Sequence, residues 1–443
     1  MDKTTDQTKG GFRMTWLEKP RTSTMTVTTT VVAAAFAVAG LLLASHAGAA
    51  DDLKHYDSNT KDFWLHPPAD WFMGDETQDL KGTDVAKTLP PPTGLSRSEI
   101  EANLKNVKLP PGFKIEVYAS DVPSARQMAL GDKGTLFVGS FAGGVVSAVV
   151  DDGGKKIVKT VVKGLRMPTG LAWRDGALYV VDIDKIYRYD NAEANLDHLG
   201  EGKVVYDDMP PYIPHGWKYL VFDKNGWLYV PFGPPCNICL PPTSVSQIRH
   251  VDPSTGVAET VALGVRNSVG GDIDPRTGDY WFSENARDWL GGDIPSDKLN
   301  HVARIGEHFG YPYCHQGDIP DPKFAMGHKC SEFSPPALNL GAHMAPLGMK
   351  FYTGGQFPAD YRNTIILAEH GSWNRHQYQG ARLVRITVDP DGRNARQDVL
   401  AEGWIGPDNK YRGRPNDVLV ARDGTLLVAD DFANAIYQIS YHQ

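Results

Sequence analysis

The sequence predicts an all-β fold, a six-bladed β-propeller behind an N-terminal signal peptide and a short extension. A unit of apolar strand, Gly- or Asn-containing turn and aromatic- or β-branched-rich strand recurs six times after Leu109. The turn glycines Gly134, Gly176, Gly226 and Gly278 stand 42, 50 and 52 residues apart, a period that accommodates the several strands of a blade. Composition agrees: 45 glycines, 10% aromatic and 41% hydrophobic residues describe a turn-rich chain able to bury a large core, not a disordered one. A β-sandwich or a pair of barrels is the competing architecture, and six units in order disfavour it. The net charge of −8 speaks against nucleic acid or an anionic membrane surface as a partner.

Residues 1–50 read as the signal peptide. The apolar run Val31–Ala44 follows Lys19 and Arg21 and ends in Ala47-Gly48-Ala49-Ala50 before Asp51. Its 14 residues fall short of the roughly 20 that span a bilayer. The expected location is therefore periplasmic or secreted, with membrane contact only through an uncleaved N-terminal segment. Residues 51–108 form a polar, Pro-interrupted extension with one expected helix over Ser96–Lys105, where Ser96 and Glu99 match a capping box.

Residues 109–443 form the propeller. Its units are 128–139, 170–181, 219–231, 270–284, 349–369 and 418–430. Asp-Lys-Gly, Asp-Gly, Asn-Gly and Thr-Gly supply the hairpin turns. The strand Phe113–Ala119 lacks a hairpin of its own and is expected to complete the last blade, closing the ring and protecting its edges. Four cysteines fall in this region: Cys236, Cys239, Cys314 and Cys330. An exported chain permits disulfides, and Cys236 with Cys239 or Cys314 with Cys330 are candidate pairs whose connectivity the spacing does not decide. No His follows Cys239, which excludes c-type haem attachment. Zinc would require all four cysteines together, and redox catalysis lacks a thioredoxin-like βαβ context.

The first strand of each propeller blade lines the central channel. Just upstream of the turns stand Arg126-Gln127, Pro168-Thr169, His215, Arg266-Asn267 and Arg414 with Asn416, and the loop before the fifth unit adds His343. Singly, each is a structural side chain; at equivalent repeat positions they converge and mark a site. Arg266, Arg414 and Arg375 suit a ligand with several carboxylates, because Arg pairs with carboxylate as a fork. His215, between Pro214 and Gly216, is the candidate base near pH 7. Gln127, His343 and Trp373 are the candidates for substrate contact at the mouth.

These residues lie in stretches that resemble a known family. Pro214-His215-Gly216, Gly264-Val265-Arg266-Asn267, Ser283-Glu284-Asn285, Asp297-Lys298-Leu299-Asn300, Phe309-Gly310-Tyr311-Pro312, Gly371–Arg375 and Gly413-Arg414-Pro415-Asn416-Asp417-Val418 occur in the order found there. Together they resemble the soluble quinoprotein glucose/sorbosone dehydrogenases, which use pyrroloquinoline quinone (PQQ), with the L-sorbosone dehydrogenase branch most alike. The resemblance implies oxidation of an aldose or sugar-derived aldehyde, with hydride transfer to PQQ and His215 as general base. It implies that Arg266, Asn267, Asn285, Arg375, Arg414 and Asn416 hold the cofactor. It implies Ca2+ on the main-chain carbonyls of Ala286 and Arg287, as oxygen ligands suit calcium. Electrons would pass on to a quinone, a cytochrome or a dye. The rival readings are a calcium-dependent propeller lactonase or hydrolase, which would want acidic side chains at the funnel, and a non-catalytic binding module. No G-x-G-x-x-G opens a strand–helix unit, which argues against a nicotinamide enzyme.

Overall fold

Alternating apolar residues separated by tight turns give short strands that pair with their sequence neighbours. The computed structural model describes residues 94–211 and 215–442. The expected signal peptide, residues 1–50, and residues 51–93 of the extension lie outside them. Six sheets of four or five strands follow one another along the described chain, and Cys314–His315 pairs with Ile319–Pro320 in a separate two-stranded sheet. Blade one contains Ala125–Leu130, Leu136–Ser140, Val145–Asp152 and Lys155–Lys163, and blade two Gly170–Arg174, Ala177–Val181, Ile186–Tyr189 and Lys203–Tyr206. Blade three contains Val221–Phe222, Leu228–Phe232, Gln247–Val251 and Ala258–Leu263. Glu307–His308 adds to its outer edge in parallel. Blade four runs Gly271–Ile273, Tyr280–Glu284, Ser296–His301 and then Leu338–Ala342, reached only after an insertion. Blade five contains Pro346–Phe351, Ile365–Glu369, Arg382–Thr387 and Arg396–Ala401.

Blade six closes the ring as expected. Pro415–Val420, Leu426–Asp430 and Ala435–Tyr441 come from the C-terminal end, and the outermost strand, Phe113–Ala119, comes from the N-terminal end. It pairs antiparallel with Ala435–Tyr441 from Phe113 opposite Tyr441 to Ala119 opposite Ile436. The edge that would otherwise template foreign strands is thus covered by the chain itself.

The core lies between blades. Each of six apolar clusters joins two neighbouring sheets, for example Tyr179 and Val181 with Leu228 and Val230, or Trp281 and Leu299 with Met349 and Leu367. Inner strands approach so closely that a Cβ on Gly270 would collide with the Leu347 carbonyl of the next blade. The helix spans Arg97–Leu104 with Ser96 as N-cap and both bonds of the capping box formed with Glu99. Its buried Ile100 and Leu104 sit in the cluster shared by blades five and six. Both candidate disulfides are present, Cys236–Cys239 and Cys314–Cys330. Among the described residues no helix is long and apolar enough to cross a membrane.

Candidate active site in the propeller funnel

The inner strands bring one or two residues from every blade to the axis. A cavity of about 10 Å³ there is lined by Arg126, Gln127, Thr169, Tyr219, Val269, Leu347, Asn416 and Asp417. It is just large enough for a water molecule, so the channel is filled by side chains. The amide of Gln127 is committed to this packing. Its Oε1 accepts from the Leu171 and Leu220 N–H groups, and its Nε2 donates to the Leu220 carbonyl. Gln127, expected from the sequence at the substrate, is thus placed as an interblade strut.

His215 is half-buried, with φ of 51°. Its Cβ and carbonyl lie so near Gly233 that any side chain there would displace it. Nδ1 lies 2.9 Å from the Pro234 carbonyl oxygen. A carbonyl can only accept, so Nδ1 carries the proton and Nε2 is left as the acceptor of the neutral ring. Among the described residues Nε2 has no hydrogen-bond partner. Burial, followed by the neighbouring Arg266 charge, holds the His215 pKa well below the usual imidazole range. The ring is neutral at working pH. Lys218, also buried, bonds the Gly216 carbonyl at 2.6 Å, and burial lowers its pKa to about 7.

Arg266 and Asn267 open blade four beside this histidine. The Arg266 N–H is held by Glu284, whose other oxygen takes Asn300 and Lys298. The guanidinium donates to the Asn237 carbonyl (2.8 Å), Asn237 Oδ1 (2.7 Å), Asp288 Oδ2 (3.1 Å), the Asn285 carbonyl (3.2 Å) and the Ala286 carbonyl (2.6 Å). That commits all five of its N–H donors. Asn285 pairs with Asn267 through its N–H at 2.8 Å, and its side chain reaches the Pro346 carbonyl. Asn267 Oδ1 is buried and unpartnered.

The sequence placed calcium on the carbonyls of Ala286 and Arg287. As arranged here, the Ala286 carbonyl is occupied by a guanidinium and its N–H by Asp297. The Arg287 side chain pairs with Asp321 at 2.7 Å, both buried. A second cation beside Arg266 would meet like-charge repulsion, so these residues do not fit calcium unless Arg266 withdraws.

Across the funnel, His343 donates from Nε2 to the Gly291 carbonyl (2.8 Å) and accepts at Nδ1 from Asn374 (3.3 Å). Asn374 also bonds Asp288 at 2.7 Å, which ties His343 to Arg266. Both ring nitrogens of this residue, expected from the sequence at the substrate, are thus bonded within the wall. Trp373 meets Trp289 edge to face at 5.4 Å. Arg375 pairs with the exposed Asp293 at 2.9 Å, while its Nε and Nη1 are buried without partners.

Blades six and one supply a second cationic group. Arg414 donates to the His370 and Gly371 carbonyls at 3.0 and 2.6 Å. Asp431 joins Arg126 (2.6 Å) to His370 Nε2 (2.8 Å), and Arg126 Nε remains buried and unpaired. Asn416 bonds the Ala125 carbonyl through Nδ2, and its Oδ1 is unpartnered. All predicted site residues therefore gather at blade starts or on adjoining loops. The sequence left Asn237, Asp288 and Asn374 unassigned, because they act by holding other site residues.

A family description, TrAA12-like, matches residues 107–442. An uncharacterized protein of Borreliella burgdorferi is 33% identical over 362 residues, 79% of this chain and 94% of that one. A pyrroloquinoline quinone-dependent sugar dehydrogenase of Hypocrea jecorina is 24% identical over 318 residues, 59% of this chain and 72% of that one. Among solved structures, an iodide structure of the Trichoderma reesei carbohydrate-active enzyme family AA12 superposes with a TM-score of 0.65. Its identity is 22%, over 76% of this chain and 98% of that one. The holo PQQ domain of pyranose dehydrogenase from Coprinopsis cinerea gives 0.62 and 19%, over 79% and 98%. Such distant structures establish the propeller fold, while the match from residue 107 to residue 442 shows that this chain belongs to the TrAA12-like family.

Proposed function

We propose that this chain is a PQQ-dependent oxidoreductase that oxidises an aldose or sugar-derived aldehyde, with His215 as general base. The observation that carries the reading is a pinned neutral imidazole with a free Nε2, beside a funnel whose arginines keep unpaired donors. Arg126 Nε and Arg375 Nε and Nη1 are donors buried without acceptors, a costly state that a ligand carrying several carboxylates relieves. Arg375, Arg414 and Arg126 would hold those carboxylates. The unpartnered oxygens of Asn267 and Asn416 would accept from the ring N–H or from bound water. PQQ, when bound, supplies the two-electron acceptor. His215 Nε2 takes the proton from the sugar hydroxyl or aldehyde hydrate, and the Pro234 carbonyl steadies the Nδ1–H of the resulting imidazolium. Arg266 enters as a fixed wall element whose charge adds to burial in keeping the ring neutral beforehand. An exported location rests on the leader pattern and the two disulfides.

The test is to add PQQ to purified protein, record its absorption band, and follow dye reduction with aldoses and sorbosone. A saturable band and sugar-dependent reduction are expected; no band and no reduction across the sugars would overturn the reading. His215→Ala should lower kcat by about 10²–10⁴-fold while PQQ remains bound. Because the His215 pKa is held low, its neutral form persists on acidification, so kcat/KM should not fall through pH 6.5. A half-maximal acid limb at that pH would show an unshifted base.

A further inference from the structure

The four-residue ring Cys236-Asn237-Ile238-Cys239 is closed by a disulfide. It is held against the Tyr311 hydroxyl, which accepts from the Cys239 N–H at 3.1 Å. Asn237, buried in this ring, meets Arg266 twice, through its carbonyl to Nε and its Oδ1 to Nη2. The same Oδ1 accepts from the Asp288 N–H (2.8 Å), and Nδ2 donates to the Asp288 carbonyl (3.1 Å). Asp288 in turn bonds Arg266 and Asn374. Asn237 therefore fastens the ring, which lies in the loop between the second and third strands of blade three, to the guanidinium and the 285–288 turn of blade four, and through Asp288 to the blade-five loop. We infer that Asn237 is a positioning residue: presented by the Cys236–Cys239 ring, it holds Arg266 and the Asn285–Asp288 turn in the one arrangement that gives the funnel its affinity for PQQ.

The inference rests on the function proposed above for its ligand but not for its geometry. The ring gives Asn237 little conformational freedom, so its amide is preorganised rather than recruited at a cost in entropy. Asn237→Ala removes Oδ1 and Nδ2 but leaves the ring and its carbonyl. Two bonds to Asp288 and one charge-assisted bond to Arg266 are lost, which should raise the PQQ Kd about tenfold.

The experiment has two readouts. PQQ affinity is measured by equilibrium dialysis for the wild type, Asn237→Ala, Arg266→Lys, their double variant, and Cys236→Ser/Cys239→Ser. The Nη–H resonances of Arg266, identified by their absence in Arg266→Lys, are followed by hydrogen exchange in protein carrying nitrogen-labelled arginine. The inference expects weaker binding in Asn237→Ala and in the double-serine variant, and faster exchange in both. It also expects Asn237→Ala to add less than about twofold on the Arg266→Lys background, because it acts through that arginine. Full multiplicative loss on that background would show a merely structural role and overturn the inference, as would unchanged Kd or unchanged exchange. If Asn237→Ala does not fold, the double-serine variant decides alone, with the Cys314–Cys330 bond intact. If the wild type binds no PQQ, the functional reading fails and takes the affinity claim with it. The exchange measurement still decides whether Asn237 holds Arg266.

Discussion

Asp417 stands where the six inner strands meet, fully buried, accepting the Met128 N–H and the Tyr219 hydroxyl at 2.8 Å each. Burial pushes its pKa up to about 7, offset in part by these bonds and by Lys350. An unfolded Asp titrates near 3.9, so between about pH 4 and pH 7 the folded state holds more protons than the unfolded one. Stability contributed by this group is therefore lost as pH rises through that window, on the order of 2–4 kcal/mol by pH 8. Asn is uncharged and can accept from Met128 while donating to the Tyr219 oxygen. Asp417→Asn should gain stability over the wild type progressively from pH 4 to pH 8, read from denaturation midpoints at each pH. A difference independent of pH would mean that Asp417 is ionised throughout. The carboxylate was visible in Gly413–Val418, but its protonation was not, because that depends on Met128 and Tyr219, far away in sequence.

At the level of strands, closure depends on Phe113–Ala119. Val117 is buried in the apolar cluster between blades five and six, and the exposed Lys114 on the same strand pairs with Glu116. Val117→Asp would bury a carboxylate without a partner, costing about 3 kcal/mol or more in urea denaturation. Lys114→Gln, on the outer face, should stay within about 0.5 kcal/mol. Equal effects would mean that this strand merely lies on the ring. Closure by this strand was legible because it had no hairpin and blade six lacked a partner. Four blades announced themselves through turn glycines at regular spacing. The last strand of blade four did not, since Leu338–Ala342 follows the disulfide-bearing insertion that also lends Glu307–His308 to blade three. Periodicity reports neighbours along the chain; it is silent when a strand returns after a detour.

At the scale of the molecule, ligand binding and ring stability are one equilibrium, because the funnel is made by the starts of successive blades. The candidate site residues were readable as types at equivalent repeat positions, hence His215, Arg266 and Arg414. Their partners were not, since Arg266 is saturated by Asn237, Asn285, Ala286 and Asp288 from separate segments. That saturation separates the two expected ligands. PQQ would satisfy donors that are now buried and unpaired, on Arg126 in blade one and on Arg375 in the blade-five loop, and so fasten separate blades to each other. Free PQQ at a hundredfold over its Kd should stabilise the folded ring by about 2.7 kcal/mol, seen as a saturable rise in Tm. Calcium alone must displace the Arg266 guanidinium from the Ala286 carbonyl before it gains a ligand there, so it should leave Tm unchanged. Arg266→Ala would vacate that carbonyl, and a calcium-dependent rise in Tm confined to this variant would identify the guanidinium as what keeps the ion out. A calcium-dependent rise already present in the wild type would mean that Arg266 yields its place, and the funnel wall would then be assembled by the metal instead of by Asn237.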